Sequence, residues 1–202
     1  MSKIHLHEFV PRTEANGSGV RAGVWVQGCP RRCEGCWNTD ALEFDERNPT
    51  DVDELADRIC RLDVDGAAFS GGEPFSQAEP LAELMQILRA RLGEDFSLVC
   101  FTGHTLKQIE RLIENGKDEW EDLLDEVDLL VAGPYERELR LRESLRGSAN
   151  QRLHFLTDRI DPEEVGPTVE ELTLGSEGDL VHTGFPEDPN RDLVEMIKEV
   201  DS

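Results

Sequence analysis

Four short apolar runs alternate with amphipathic segments, and this alternation constrains the fold more than any other feature of the chain. The runs are VRAGVWVQG (20–28), GAAFS (66–70), FSLVCF (96–101) and VDLLVA (127–132). Each is short, apolar and rich in β-formers, as buried strands are. Between them, DVDELADRICRL (51–62) places Val52, Leu55, Ala56, Ile59 and Leu62 on one helical face. AEPLAELMQILRARL (78–92) reads as a helix opened by a Ser76/Glu79 capping box. TLKQIERLIENG (105–116) reads as a third, with a Thr105/Gln108 box and Gly116 as its stop. The charged segment KDEWEDLLDE (117–126) leads into the fourth run, and QRLHFL (151–156) reads as a fifth strand.

Repeated strand-helix units predict an α/β fold with a parallel sheet. Ligands then bind on the loops at the carboxyl ends of the strands. A cysteine loop follows the first run, GGEP (71–74) the second, TGHT (102–105) the third and GPY (133–135) the fourth. All four are expected on one rim. At the amino end, His5 and His7 alternate with Ile4 and Leu6, which predicts a strand with an exposed histidine face. The last forty residues read differently: VEELTL and DLVHTGF as two strands joined at GSEG, and PNRDLVEMIKEV as a closing helix. DPEEVGP (161–167) is the candidate linker. We therefore expect one domain over 1–160 with an extension, 161–202, packed on it.

Composition narrows the function classes. The 202 residues carry a formal net charge of −23, with seventeen arginines and only four lysines. Phosphate contacts need clustered Lys and Arg, so a nucleic-acid-binding surface is not expected. Such charge opposes association and would keep a protein soluble in high salt, although GC-rich coding bias with an ordinary acidic surface is the plainer explanation. No apolar run approaches the roughly 18 residues of a membrane span. The start, MSKIHLHEFV, lacks the apolar stretch of a signal peptide. A cytoplasmic protein is expected.

The stretch GCPRRCEGCWN (28–38) holds Cys29, Cys33 and Cys36 without a fourth cysteine nearby. In a cytosolic chain such crowding points to a metal rather than to disulfides. Three thiolates can hold three irons of a [4Fe-4S] cube and leave the fourth open to another ligand. A zinc site closed by a distant His, or a cluster with a remote Cys, fits the spacing as well. Cys60 and Cys100 stand in apolar segments and read as buried small hydrophobes.

C-x3-C-x2-C after the first strand, with Ser70-Gly71-Gly72-Glu73-Pro74 after the second, resembles the radical S-adenosylmethionine (SAM) superfamily. NGSGVRAGVWVQGCPRRCEGCWN, FTGHTL, VDLLVAGPY and LRGSANQRLHFL together resemble its glycyl-radical activating enzymes, those of anaerobic ribonucleotide reductase in particular. The resemblance covers roughly residues 16 to 157. It implies an incomplete parallel (β/α) barrel of about five to six strands, followed here by the C-terminal hairpin and helix. It also implies a [4Fe-4S] cluster on Cys29, Cys33 and Cys36, with SAM on the open iron.

By the same resemblance, Gly71, Gly72 and Glu73 seat the methionyl end of SAM. Adjacent glycines permit close backbone approach, and a carboxylate can accept from an ammonium. Ser70 belongs to the same motif. Trp37 takes the aromatic place after the third cysteine. Thr102 and Gly103 would approach the adenosyl part, with His104 nearby. Arg146, Ser148, Asn150 and Gln151 offer polar groups toward SAM or a partner's glycine loop. The implied chemistry is reductive cleavage of SAM to a 5′-deoxyadenosyl radical that installs a glycyl radical on a partner. The implied electron donor is a flavodoxin or ferredoxin. One departure stands out: Ala132 replaces an Asp typical of the reductase activators. That leaves room for a radical SAM enzyme with another peptide or small-molecule substrate. A non-catalytic iron-sulfur or zinc module would leave GGEP unused.

Overall fold

The computed structural model describes residues 2–46, 48–167, 169–174 and 180–185. Seven strands form one sheet, built from β1 (Lys3–Thr13), β2 (Arg21–Val26), β3 (Pro49–Asp51), β4 (Gly66–Gly71), β5 (Ser97–Thr102), β6 (Leu129–Ala132) and one added after a hairpin. That hairpin is β7 (Arg140–Glu143) with β8 (Arg146–Ser148), and the added strand is β9 (Arg152–Phe155). The sheet order is β3-β1-β2-β4-β5-β6-β9.

The four central strands β2, β4, β5 and β6 are mutually parallel. The outer ones are antiparallel to their neighbours. The connections explain this. Only a short loop joins β1 to β2, and a parallel neighbour needs a crossover of a dozen residues or more. A helical crossover precedes β4, β5 and β6: α1 (Val52–Cys60), α2 (Ala78–Leu92), then α3 (Leu106–Ile113) with α4 (Asp118–Glu126). β9 instead returns through the β7–β8 hairpin.

Leu55, Ile59, Leu81, Leu84, Met85, Leu88, Ile109 and Leu123 from the helices bury against Val24, Phe69, Leu98, Cys100 and Leu130 of the sheet. The other sheet face carries a smaller cluster, Ala68, Val99, Leu129 and Val131 under Leu145 and Ile160. Side chains alternate along a strand. Ser70 and Phe101 therefore continue that thinly covered face toward the carboxyl rim.

Two local outcomes differ from the sequence reading. α2 is not opened by Ser76. A 3-10 turn, Pro74–Gln77, precedes it, and Glu73 caps that turn by accepting from the Phe75 N–H. Gln77 occupies the N-cap of α2 without a side-chain cap bond. Its amide is engaged elsewhere, bonding both backbone groups of His5 and the carbonyl of Gln27. KDEWEDLLDE is helical as α4, burying Trp120 and Leu123, with Asp118, Glu119 and Glu121 in the first turn where the helix dipole favours acids. The Thr105/Gln108 box forms in full.

Asp128 is fully buried at the start of β6. It accepts from the Leu98 N–H, Thr157, Arg89 and Arg159, and so joins β5, α2 and the segment after β9. Cys100 is buried in the core, and Cys60 packs against it. Ile4 and Leu6 are buried while His5 and His7 are partly exposed.

After Pro162–Glu164, strands β10 (Glu170–Leu174) and β11 (Leu180–Gly184) pair antiparallel. GSEG and the expected closing helix lie outside the described residues. Among the described residues no helix is long and apolar enough to cross a membrane.

Candidate active site

The rim loops enclose one cavity of about 140 Å³. Its wall contains Cys29, Cys33 and Cys36, and also Ser70, Gly71, Gly72, Glu73, Thr102 and Gly103, with Trp37 at its edge. Residues from the carboxyl ends of β2, β4, β5 and β6 thus meet at one place.

The cysteine loop is held by backbone. Gly28 and Cys29 donate to the carbonyls of Ala41 and Leu42, and Cys36 to that of Cys33. Arg32 and Gly35 both take positive φ, 47° and 70°, which lets the loop turn twice. Burial pushes the Cys29 thiol above its ordinary range. Hydrogen bonds from the Arg31 and Arg32 backbone act the other way, and Glu73 and Cys33 reinforce the rise. Burial likewise raises Cys36, against a backbone hydrogen bond from Asn38.

Buried thiols of this kind ionise when a metal supplies the countercharge. Peptide N–H groups aimed at sulfur are one of the means by which proteins tune iron-sulfur clusters. Among the described residues no three His, Cys, Asp or Glu side chains converge on a single-ion site. In a cluster each thiolate takes its own iron, so three thiols around one cavity need not converge. The donor set fits a cluster better than zinc.

Gly71 and Gly72 are also where the chain packs closely on itself. A Cβ on Gly72 would lie 2.3 Å from the Gly28 carbonyl oxygen, and one on Gly71, whose φ is +100°, would lie 2.5 Å from the Val26 nitrogen. The Gly72 and Glu73 N–H groups donate to the carbonyls of Val26 and Gly28. The glycines line the cavity, but their bareness is required by contact between two protein loops.

Glu73 is 1% exposed. Oε1 accepts from Phe75 N–H at 3.1 Å and Thr102 Oγ1 at 2.8 Å, and Oε2 from Gly103 N–H at 2.8 Å. Burial pushes its carboxyl up, opposed by those three donors and by Arg31.

The RGSANQ loop is placed differently. Arg146, Ser148 and Asn150 do not form part of the cavity wall. Arg146 pairs with Glu143, Ser148 Oγ accepts from Glu136 N–H, and Asn150 donates to the Pro134 carbonyl. They shape the turn beyond β6. Gln151 is the residue this loop lends to the wall, and its amide also ties Gly133, Gly147 and Ser148 together. Ala132 is buried in the core on the helical face of the sheet and does not itself line the cavity.

Arg31 and Tyr135, from the cysteine and GPY loops, also line the cavity, as do Arg140 and Phe185, which no motif marks. Arg31 reaches across to His104 Nδ1 at 2.8 Å and Gln108 Oε1 at 3.2 Å. His104 itself sits beside Trp120 and Phe75, outside the wall, with ring centroids 4.8 and 6.4 Å away. His182, on β11, lies edge-on to Trp37 at 5.3 Å.

A family model described as a 4Fe-4S single cluster domain matches residues 15–154. The chain is 31% identical to the anaerobic ribonucleoside-triphosphate reductase-activating protein of enterobacteria phage T4, over 78% of this chain and 97% of that protein. It is 31% identical to the protein of the same name from Vibrio cholerae, over 76% of this chain and 99% of that one. For the Escherichia coli K12 protein the identity is 26%, over the same two shares. With its three cysteines gathered at the carboxyl rim of the sheet, the chain belongs to the family of anaerobic ribonucleoside-triphosphate reductase-activating proteins, built on a 4Fe-4S single cluster domain.

Proposed function

We propose that this protein is a radical SAM activating enzyme that installs a glycyl radical on an anaerobic ribonucleotide reductase. The observation that carries this is the meeting of Cys29, Cys33 and Cys36 with the Ser70–Glu73 turn around one cavity. When bound, the cluster supplies the electron that cleaves SAM to methionine and a 5′-deoxyadenosyl radical, which takes hydrogen from a partner's glycine.

The residues of the chain bind, orient and exclude water, as is usual where cofactors carry the hard chemistry. Cys29, Cys33 and Cys36 hold the cluster. The Ser70–Glu73 turn and Thr102–Gly103 share the cavity wall with the cysteines and would hold SAM. Glu73 locks that wall by bonding the neighbouring strand end. Trp37, Phe101 and Tyr135 supply apolar surface that keeps water out. A reduced flavodoxin or ferredoxin as donor belongs to the same proposal, on the family resemblance. So does curvature of the sheet into an incomplete barrel, which the parallel centre with its site at the carboxyl ends supports.

The test is anaerobic cluster reconstitution followed by reduction with SAM. Formation of 5′-deoxyadenosine, and a glycyl-radical signal once the reductase is added, is expected. A fully loaded protein that forms no 5′-deoxyadenosine overturns the reading.

A further inference from the structure

One wall of the cavity comes from outside the segment matched by the family model, which ends at residue 154. Phe185, just after β11, lines it together with the three cysteines. A second cavity, of about 60 Å³, adjoins the first and shares Trp37, Asn38, Ser70, Phe101 and Phe185 with it. The Phe185 and Trp37 rings therefore stand on a partition between two spaces at the rim.

The hairpin is tied down at several points away from the cavity. Glu171 accepts from the N–H groups of Glu14 and Ala15 at the end of β1 and from Thr13 and Thr183. Arg142 donates to the Phe185 carbonyl at 2.9 Å. The Phe185 ring lies on Gly147 so closely that a Cβ there would come within 2.7 Å. Its position is thus set by the β7–β8 hairpin as well as by β11.

We infer that the C-terminal hairpin is a wall of the active site and that Phe185 determines the width of approach to the cysteines. Its ring narrows that approach, so small reactants reach the cysteines more readily than bulky ones. The biological meaning of this gate rests on the function proposed above; its existence does not.

The test uses the full chain free of metal and compares alkylation of Cys33 and Cys36 by iodoacetamide and by bulky N-pyrenylmaleimide, read by mass spectrometry. The ratio of the two rates cancels differences in thiol ionisation. Wild type is expected to favour the small reagent. The preference should fall about tenfold in Phe185→Ala, and also in Glu171→Ala, which releases the hairpin from β1. Phe185→Tyr, which keeps the ring, should preserve it. An unchanged ratio in both alanine variants overturns the inference. A wild-type protein that cleaves no SAM, while the ratio still collapses in the variants, refutes the proposed function and leaves the gate standing.

Discussion

Glu73 and Thr102 stand at the ends of β4 and β5, and the Thr102 hydroxyl donates to the Glu73 carboxylate at 2.8 Å. With the Gly103 and Phe75 N–H groups on the same carboxylate, this contact makes two cavity walls one rigid piece. Glu73→Gln keeps the volume but turns an amide donor toward a backbone N–H. Leaving one buried donor unpaired costs about 1–3 kcal/mol. Urea denaturation of the metal-free variant should show that loss, and SAM affinity should fall with the cluster retained. Unchanged stability would mean that the three donors find other partners.

Gly72 gives a sharper steric case. Its Cβ would meet two backbone oxygens, 2.3 Å from Gly28 O and 2.9 Å from Ala41 O, neither of which can rotate away. Gly72→Ala should therefore push the cysteine loop off the β4 turn. Expected is a protein that keeps its helical circular dichroism but takes up less iron on reconstitution. Iron content equal to wild type would show that the two loops are not packed as described.

Cys33→Ala removes one of three thiolates. More than about half of the bound iron should be lost, since the ligands supply the binding free energy. Reductive SAM cleavage should disappear with it. Retained cleavage would exclude Cys33 as a ligand. Cys60→Ala, on the far side of the fold, should leave both iron and cleavage in place.

His104 makes stability depend on pH. Burial, then Arg31, lowers its imidazole from 6.5 to about 4. The unfolded chain takes up the proton near pH 6.5 and the folded chain does not until about pH 4. The contribution is therefore complete above pH 6.5 and is lost as pH falls toward 4. His104→Gln should flatten the fall in denaturation midpoint between those values while leaving neutral pH less affected. A variant with the wild-type slope would show that other groups set it.

Much of this was legible in the chain. The strand runs, the amphipathic faces of α1 and α2 and the Thr105 capping box depend on near neighbours, so periodicity alone reveals them. The rim placement of the cysteine loop and of Ser70–Glu73 follows from parallel topology. Charge hid α4, because its burial rests on Trp120 and Leu123 within an acidic stretch.

What the sequence by itself determined is therefore the alternating order of elements, the crowding of three cysteines in one loop and the rim they share. The tertiary structure decided how polar groups were used. Gln77 left its helix to join β1 and β2, Glu73 spent its carboxylate on β5, and Arg146, Ser148 and Asn150 turned inward on their own loop. It also brought Phe185 to a cavity roughly 150 residues away in sequence from the cysteines. The physical reason is one of range. Periodic burial is written locally, whereas a buried donor takes whichever acceptor the packed chain places within about 3 Å.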